Sequence, residues 1–253
     1  MIAVITHQGR TWRIALDRPL DLSIPLDADS PGPRAWYVGP PRFTPVNDGR
    51  RCYAVAEGAP VNFRDAVFNP HGNGTHTESV GHIDRVVHPV GGLLKRYWFT
   101  AQLVSVLPEE RRTAEGTARV ITLGQLRDTV GERAPEAFVI RTWPNPPEKR
   151  IRVWTDTDPP FIEAEACAWL RSIGVKHLLL DLPSVDRERD EGKLAAHHAF
   201  WDHPRTIDLH RTITEMIYVP DEVHDGEYIL ELQLPHFIND AAPSRPVLYA
   251  PMP

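Results

Sequence analysis

Prolines interrupt this sequence along its whole length: 25 of them are dispersed over 253 residues. Proline lacks a backbone N–H and ends helices and central strands. The distribution therefore predicts many short elements separated by turns, and not a disordered proline-rich tail. An apolar share of 42% is enough for a sizeable core, and the length fits one large domain or two small ones.

Acidic and basic residues are interleaved, with a formal net charge of −6. This balance argues against nucleic acid and against an anionic membrane surface as partners. No apolar run approaches the roughly 20 residues that span a bilayer, and the first residues contain no secretory signal. Cys52 and Cys167 allow one disulfide, but so few cysteines without a leader favour two buried thiols and a cytoplasmic location.

Hydrophobic patterns predict an α/β fold with more strand than helix. Residues 162–173 have apolar side chains at three- and four-residue steps, Gly174 stops the helix, and a strand follows directly at 175–181. A shorter helix at 123–129 begins after a capping Thr122. Strands are also predicted near the N-terminus and at 11–16, 21–26, 53–56, 83–87, 98–107, 118–122, 137–143, 212–219 and 227–235, the last with alternating outward charge and inward Ile and Leu.

The residues with metal-binding chemistry are concentrated in one segment. Four of the twelve histidines fall within eighteen residues, at positions 71, 76, 82 and 88. Imidazole and carboxylate are ligands of zinc and manganese, and His76 and Glu78 would share one face of an extended backbone. Gly72 and Gly74 permit positive φ and a close approach of backbone N–H groups to an oxyanion. From spacing alone, a solvated turn that carries histidines fits equally well.

The stretch from Gly74 to His82 resembles the His-x-Gly-Thr-His-x-Asp-x-x-x-His motif of the cyclase family, which includes bacterial kynurenine formamidases and isatin hydrolases. Other family motifs are matched in the same order along most of the chain: Asp-Leu-Ser-Ile-Pro-Leu at 21–26, Arg141-Thr142, Gly174-Val175-Lys176 through Asp181, Ser184-Val-Asp186, His197-His-Ala-Phe200 and Ile213-Thr-Glu215. The resemblance implies the family's swivelling β/β/α domain, strand-rich with a few helices, over residues 1–253.

The resemblance also implies ligands and a catalytic residue. His76 corresponds to a metal ligand. Glu78 stands where the family has an aspartate that bridges two ions. His82 corresponds to the histidine that activates water or shuttles the proton.

The second half of the chain supplies the remaining ligands implied by the resemblance. His197 or its neighbour His198 would be one ligand, and His197 is preferred because Phe200 then completes the His-x-x-(Leu/Phe) pattern. Glu215 would be the second carboxylate. The apolar neighbours of Glu215 favour a metal as its partner, since a buried carboxylate needs a charged one.

Three departures from the family pattern bear on the site. Gly72 occupies the position of the family's first histidine, and His71 is one residue out of register. A bulge would restore His71 as a ligand, whereas its loss would leave a three-ligand or one-metal site. Glu78 is one methylene longer than aspartate, and the formamidases' Ala-Pro is replaced within Ser-Val-Gly at 79–81.

The implied function is hydrolysis of an amide, an N-formyl amide, or a small cyclic amide or lactone, with one or two zinc or manganese ions. The substrate would be a small molecule, and the enzyme a homo-oligomer, either dimer or tetramer. One alternative is a non-catalytic binding protein that has lost part of the site, and another is a mononuclear lyase.

Several polar and aromatic residues have two interpretations. Trp36 is a candidate wall of an aromatic pocket or a core residue, and Arg141 a candidate for binding a substrate carboxylate or a structural ion pair. We expect His177 in the core or at its edge, His203 and His210 at the surface, and His88 in a turn. The run of charges from Asp186 to Glu191 predicts a solvated loop.

Overall fold

The structure is a computed structural model that describes residues 1–113, 116–131 and 134–252. Within these ranges the chain forms sixteen strands, four short α-helices and three 3₁₀ helices. The strands are β1 (Ile2–His7), β2 (Arg10–Ala15), β3 (Leu20–Asp21), β4 (Arg42–Pro45), β5 (Arg64–Val67), β6 (His76–Glu78), β7 (Trp98–Val106), β8 (Glu109–Thr113), β9 (Gly116–Ile121), β10 (Ala137–Thr142), β11 (Phe161–Ile162), β12 (His177–Leu180), β13 (Thr212–Glu215), β14 (Gly226–Glu231), β15 (Ala241–Pro243) and β16 (Val247–Tyr249). The α-helices are α1 (Val90–Leu93), α2 (Leu123–Arg127), α3 (Ala164–Ser172) and α4 (Ala195–Trp201), and the 3₁₀ helices are Val55–Glu57, Val80–His82 and Pro147–Ile151.

A nine-stranded mixed sheet organises the fold, in the order β15-β6-β13-β12-β10-β7-β14-β16-β3. Its centre is parallel, with β7, β10, β12 and β13 running in one direction. The strands on both flanks are antiparallel to their neighbours. Consequently β6, from the first third of the sequence, lies between two strands from the last quarter of the chain.

The central strands are buried on both faces. In β10, Phe138 and Ile140 join the core cluster that contains α3 and α4, whereas Ala137 and Val139 join a second cluster on the opposite face. Covered parallel strands have continuous apolar sequences, which is why 137–142 could be predicted from sequence. The helices α2 and α3 and the strands at the centre of the sheet are confirmed, and Thr122 forms a capping box on α2.

Three strand predictions were wrong. Residues 53–56 contribute to a 3₁₀ helix, and 83–86 form a turn and bends, where the Asp84 carboxylate accepts the Arg85 N–H. Of the predicted strand at 21–26, only Asp21 belongs to an observed strand, β3. The predicted alternation in β14 holds except at Ile229: Glu227 is exposed and Leu230 packs into the core, whereas Ile229, expected inward, lies on the outer face under the β1–β2 hairpin.

The two cysteines differ in burial: Cys167 is buried and Cys52 half-buried, and both are free thiols. The prediction of buried thiols thus holds for Cys167 alone. No helix in the described part of the chain has the length and apolar character needed to cross a membrane.

His177 is a structural residue of β12, as the sequence suggested. Its Nδ1 lies 2.9 Å from the Thr212 hydroxyl and its ring packs on Phe99, with 4.0 Å between ring centroids. Burial, aided by the positive charges of Arg96 and Lys176, lowers the pKa of His177 from 6.5 to about 3. The folded protein therefore holds this imidazole neutral.

This histidine should make the fold sensitive to acid. Between pH 6.5 and pH 3 the unfolded chain binds a proton at this residue and the folded chain does not, so stability falls as pH drops below 6.5. From pH 7 to pH 5 we expect His177 to account for a loss of about 2 kcal/mol in unfolding free energy. Denaturant titrations at both pH values should show a smaller loss in His177→Gln. An equal loss in the variant would contradict the prediction.

Candidate metal centre

A tight turn at residues 69–73 directs His71 toward the sheet. The Asn69 side-chain oxygen accepts the N–H groups of His71 and Gly72, at 2.9 and 3.0 Å, and the Asn69 carbonyl accepts the Asn73 N–H. An asparagine that satisfies local backbone donors stabilises such a turn. The turn leads into β6 through Gly74, whose φ of +74° favours glycine.

Strand alternation in β6 brings two site residues to one face. His76 and Glu78 face the same side, whereas the Thr77 hydroxyl points to the opposite side and lies 2.7 Å from that of Thr214. The register of β6 with β13 sets Glu215 directly opposite His76, with 3.4 Å between His76 Nε2 and Glu215 Oε2. The structure therefore brings together the three predicted ligands on these strands.

The N-terminus of α4 delivers His197. The Asp186 carboxylate accepts the N–H groups of Ala196 and His197 and lies 2.5 Å from His197 Nδ1. This orients His197 Nε2 toward Glu78, 3.2 Å from Oε1. The prediction that Asp186 belongs to a solvated loop was wrong, because the start of α4 buries it.

His198 is directed elsewhere. Its Nδ1 lies 3.0 Å from that of His203, and both rings are outside the cluster around Glu78. His203 and His88 contact Asp84, at 3.5 and 2.8 Å respectively. His203, which was expected at the surface, has only 13% of its side chain exposed. Of the two predicted histidines on α4, the structure brings His197 to the cluster.

Asp240 joins the cluster although nothing in the sequence singled it out. It immediately precedes β15, and its carbonyl accepts the Ser79 N–H at 2.9 Å. Its Oδ2 lies 2.7 Å from His71 Nε2 and 3.6 Å from His82 Nδ1. Only the pairing of β15 with β6 places it there, so a local sequence pattern could not reveal it.

The surrounding carboxylates favour positive charge on two histidines. Burial opposes an imidazolium at His71, but its contacts with Asp240 and Glu78 outweigh burial and raise its pKa to about 10. At His197, burial is likewise outweighed by Asp186 and Glu78, and the pKa again rises to about 10.

The pKa values of the two buried glutamates at the centre are shifted in opposite directions. Burial disfavours the charged form of Glu78, but His82, His197 and His71 hold the pKa of its carboxyl well below its usual range. Burial and the charge of Glu78 raise the pKa of Glu215. The cluster therefore combines an ionised carboxylate with several imidazoles, a donor set suited to a divalent cation.

The donor atoms fit a metal ion. Three overlapping groups have ligand atoms within 4.8 Å of one another: His71, His76 and Glu78; Glu78, His82 and His197; and His71, His82 and Asp240. His76 Nδ1 lies 3.1 Å from the Gly74 carbonyl, whereas the buried His76 Nε2 has no hydrogen-bond partner among the described residues. A metal-ligating histidine needs one buried ring nitrogen without a hydrogen bond, while the other ring nitrogen donates to an acceptor that fixes the tautomer of the ring.

A cavity of about 200 Å³ opens beside the cluster. Its lining includes Trp36, Arg187 and Leu194 together with members of the cluster. His82 also lines it, and with 32% of its side chain exposed it is the most accessible of the clustered histidines. Trp36 thus lies where a pocket wall was predicted.

Arg141 lies away from this cavity. Its guanidinium donates to the Ser105 hydroxyl, the Pro220 carbonyl and the Asp225 carboxylate. The structural ion pair that the sequence left open is therefore its observed role. The predicted oxyanion donors are also corrected: the N–H groups of 72, 73 and 74 are donated to Asn69 and Pro33.

Comparison with known proteins settles the family. The family model described as "Putative cyclase" matches residues 20–187, about two thirds of the chain. The chain belongs to the cyclase family. This match includes the turn, β6, His82 and Asp186, while α4, β13 and Asp240 lie beyond it.

Individual relatives agree with the family. The chain is 27% identical over 181 residues to kynurenine formamidase of Bacillus cereus and 28% identical to that of Bacillus mycoides, which covers 67% of this chain and 79% of each relative. The structure of isatin hydrolase A from Labrenzia aggregata is similar with a TM-score of 0.65 at 14% identity, over 93% of this chain and 94% of that one. The predicted cyclase-family α/β fold is confirmed.

Proposed function

We propose that this cyclase-family chain is a metal-dependent hydrolase that cleaves C–N bonds other than peptide bonds, or the ester C–O bond of a small lactone. Its substrate would be an amide, an N-formyl amide, or a small cyclic amide or lactone. The observation that carries the proposal is the buried Glu78, contacted by His71 and His197, beside a buried His76 Nε2 that makes no hydrogen bond to a described residue and lies 3.4 Å from Glu215 Oε2. The named activities of the kynurenine formamidases and isatin hydrolase support the substrate class.

The proposed ligands are His76, Glu78, His197 and Glu215, with His71 as a further ligand. Zinc or manganese suits these nitrogen and oxygen donors, and the two carboxylates suit one ion or two. Such an ion, when bound, polarises the substrate carbonyl and lowers the pKa of water. Asp186 holds His197 by its Nδ1, so that Nε2 remains directed at the metal position.

His82 is the proposed acid–base residue. It lines the cavity, so its ring can reach substrate, and Asp240 lies 3.6 Å from its Nδ1. His82 takes a proton from the attacking water as the new C–O bond forms, and returns it to the leaving nitrogen as the C–N bond breaks. Trp36 offers a flat apolar wall, which suits a planar substrate.

The proposal also covers the domain organisation, the size of the substrate, the oligomeric state and the location of the enzyme. We expect one domain over residues 1–253, a small-molecule substrate, and a homo-oligomer, dimer or tetramer, as in the family resemblance. Two free thiols accord with a cytoplasmic location.

Metal removal tests the function directly. Purified protein should contain stoichiometric zinc or manganese by elemental analysis, and should hydrolyse an N-formyl arylamine. Dialysis against a chelator should abolish this activity, and the ion should restore it. Metal-free protein that still binds the arylamide without cleaving it would favour the binding-protein alternative, and a product formed by elimination would favour a lyase.

A further inference from the structure

Position 72 has no room for a side chain in this fold. Residues 72–74 run against 33–35, and the Ala35 N–H donates to the Gly72 carbonyl. A Cβ on Gly72 would lie 2.5 Å from Val38 Cγ2 and 3.1 Å from the Ala35 carbonyl oxygen. Because carbon atoms pack at about 3.5 to 4.0 Å, the Val38 side chain and the Ala35 carbonyl together oppose a histidine at the register of the family motif.

His71 faces the cluster from the adjacent position. Its Nδ1 lies 3.0 Å from Glu78 Oε2, and its ring centroid lies 5.5 Å from that of His76. Two neighbouring ligand atoms bound about 2.0 to 2.2 Å from one ion at octahedral or tetrahedral angles are roughly 2.8 to 3.6 Å apart. His71 Nδ1 and Glu78 Oε2 therefore have the separation of two ligands of the same ion.

Asp240 holds the other nitrogen of this ring. Its Oδ2 lies 2.7 Å from His71 Nε2, against 3.6 Å from His82 Nδ1, so His71 is its closer partner. The approach depends on Gly81, where a Cβ would lie 3.2 Å from Asp240 Cβ and 2.6 Å from the His88 nitrogen. The carboxylate is thus fixed by backbone packing.

We propose that His71 supplies the ligand that position 72 cannot, and that Asp240 is the positioning residue that orients it. The inference rests on the proposed metal-dependent function and deepens it. Asp240 accepts the Nε2–H of His71, so Nδ1 is the nitrogen that faces Glu78 and that would act as the ligand once its proton has left. Carboxylates that orient ligating histidines in this way typically contribute 10–100-fold to metal affinity.

Metal binding measured without turnover tests the proposal. Zn²⁺ affinity is determined by competition with a chromogenic chelator, and the visible absorption of the Co²⁺-loaded protein reports ligand geometry. Asp240→Asn should weaken Zn²⁺ binding by roughly 10–100-fold and alter the Co²⁺ spectrum. His71→Ala should weaken binding at least as much, and the double variant should bind like His71→Ala alone. Asp84→Asn is the matched control, since Asp84 also contacts a histidine but lies outside the cluster.

The results distinguish a failure of the positioning role of Asp240 from a failure of the proposed hydrolase function. If wild-type protein binds Zn²⁺ and Asp240→Asn retains its affinity and spectrum, Asp240 does not position a ligand, while the hydrolase function stands. Wild-type protein that binds neither Zn²⁺ nor Co²⁺ would overturn the proposed function itself. Circular dichroism verifies folding, and if Asp240→Asn is unfolded, unchanged affinity in His71→Gln would refute the ligand assignment.

Discussion

Glu78→Gln should lose its metal and, with it, almost all activity. Glu78 is 1% exposed, and its two oxygens face His197 and His71. It therefore contacts both the histidine of the early turn and the histidine of α4. Glutamine keeps the shape but carries no charge, and it offers an N–H₂ group where an acceptor is needed. We expect metal affinity to fall by more than about 100-fold, beyond the usual effect of residues outside the ligand set.

Chelator competition and elemental analysis measure the loss of metal, and an arylamide hydrolysis assay measures the loss of turnover. Glu227→Gln is a suitable control because Glu227 is half exposed, pairs with Arg10, and lies outside the cluster. A Glu78→Gln protein with wild-type metal content would mean that Glu78 is not a ligand.

His82→Ala should have the second largest effect, through turnover with little loss of metal. A positioned acid–base residue contributes about 10²- to 10⁴-fold, so kcat should fall within that range while metal content stays close to wild type. Added imidazole should restore part of the rate, because the vacated volume opens to the cavity that His82 lines.

His198→Ala provides the control, since His198 contacts His203 outside the cluster and should leave kcat unchanged. Two of the three ligand groups include His82, so the metal measurement is decisive. If His82→Ala loses its ion as Glu78→Gln is expected to, His82 is a ligand and another group handles the proton.

Local patterns predicted the parts of the fold and site that depend on local structure. The apolar run of 137–142 and the helical spacing before Gly174 gave a strand and a helix because burial and capping act within a few residues. The two-residue step from His76 to Glu78 likewise gave their shared face. The strand β14 was predicted, but the burial of Ile229 on its outer face was not, because the β1–β2 hairpin that covers this face is placed there by the tertiary fold.

The missed site residues have the same explanation. Asp186 lies in a strongly charged stretch, and the distant packing of α4 turns it into a buried partner of His197. Asp240 depends on a strand pairing across more than half the chain. The lack of room for a side chain at position 72 follows from contacts with Ala35 and Val38, which lie far from it in sequence.

The position of β6 between β13 and β15 determines when the site can form during synthesis. A nascent chain that has emerged only as far as the family-matched region, residues 20–187, has the early histidines but neither of the strands that flank them. His76 and Glu78 can pair with β13 once residue 215 has left the ribosome, and have both flanking strands only after residue 243 follows. Such distant pairings slow folding, so metal capture should be among the last events in maturation.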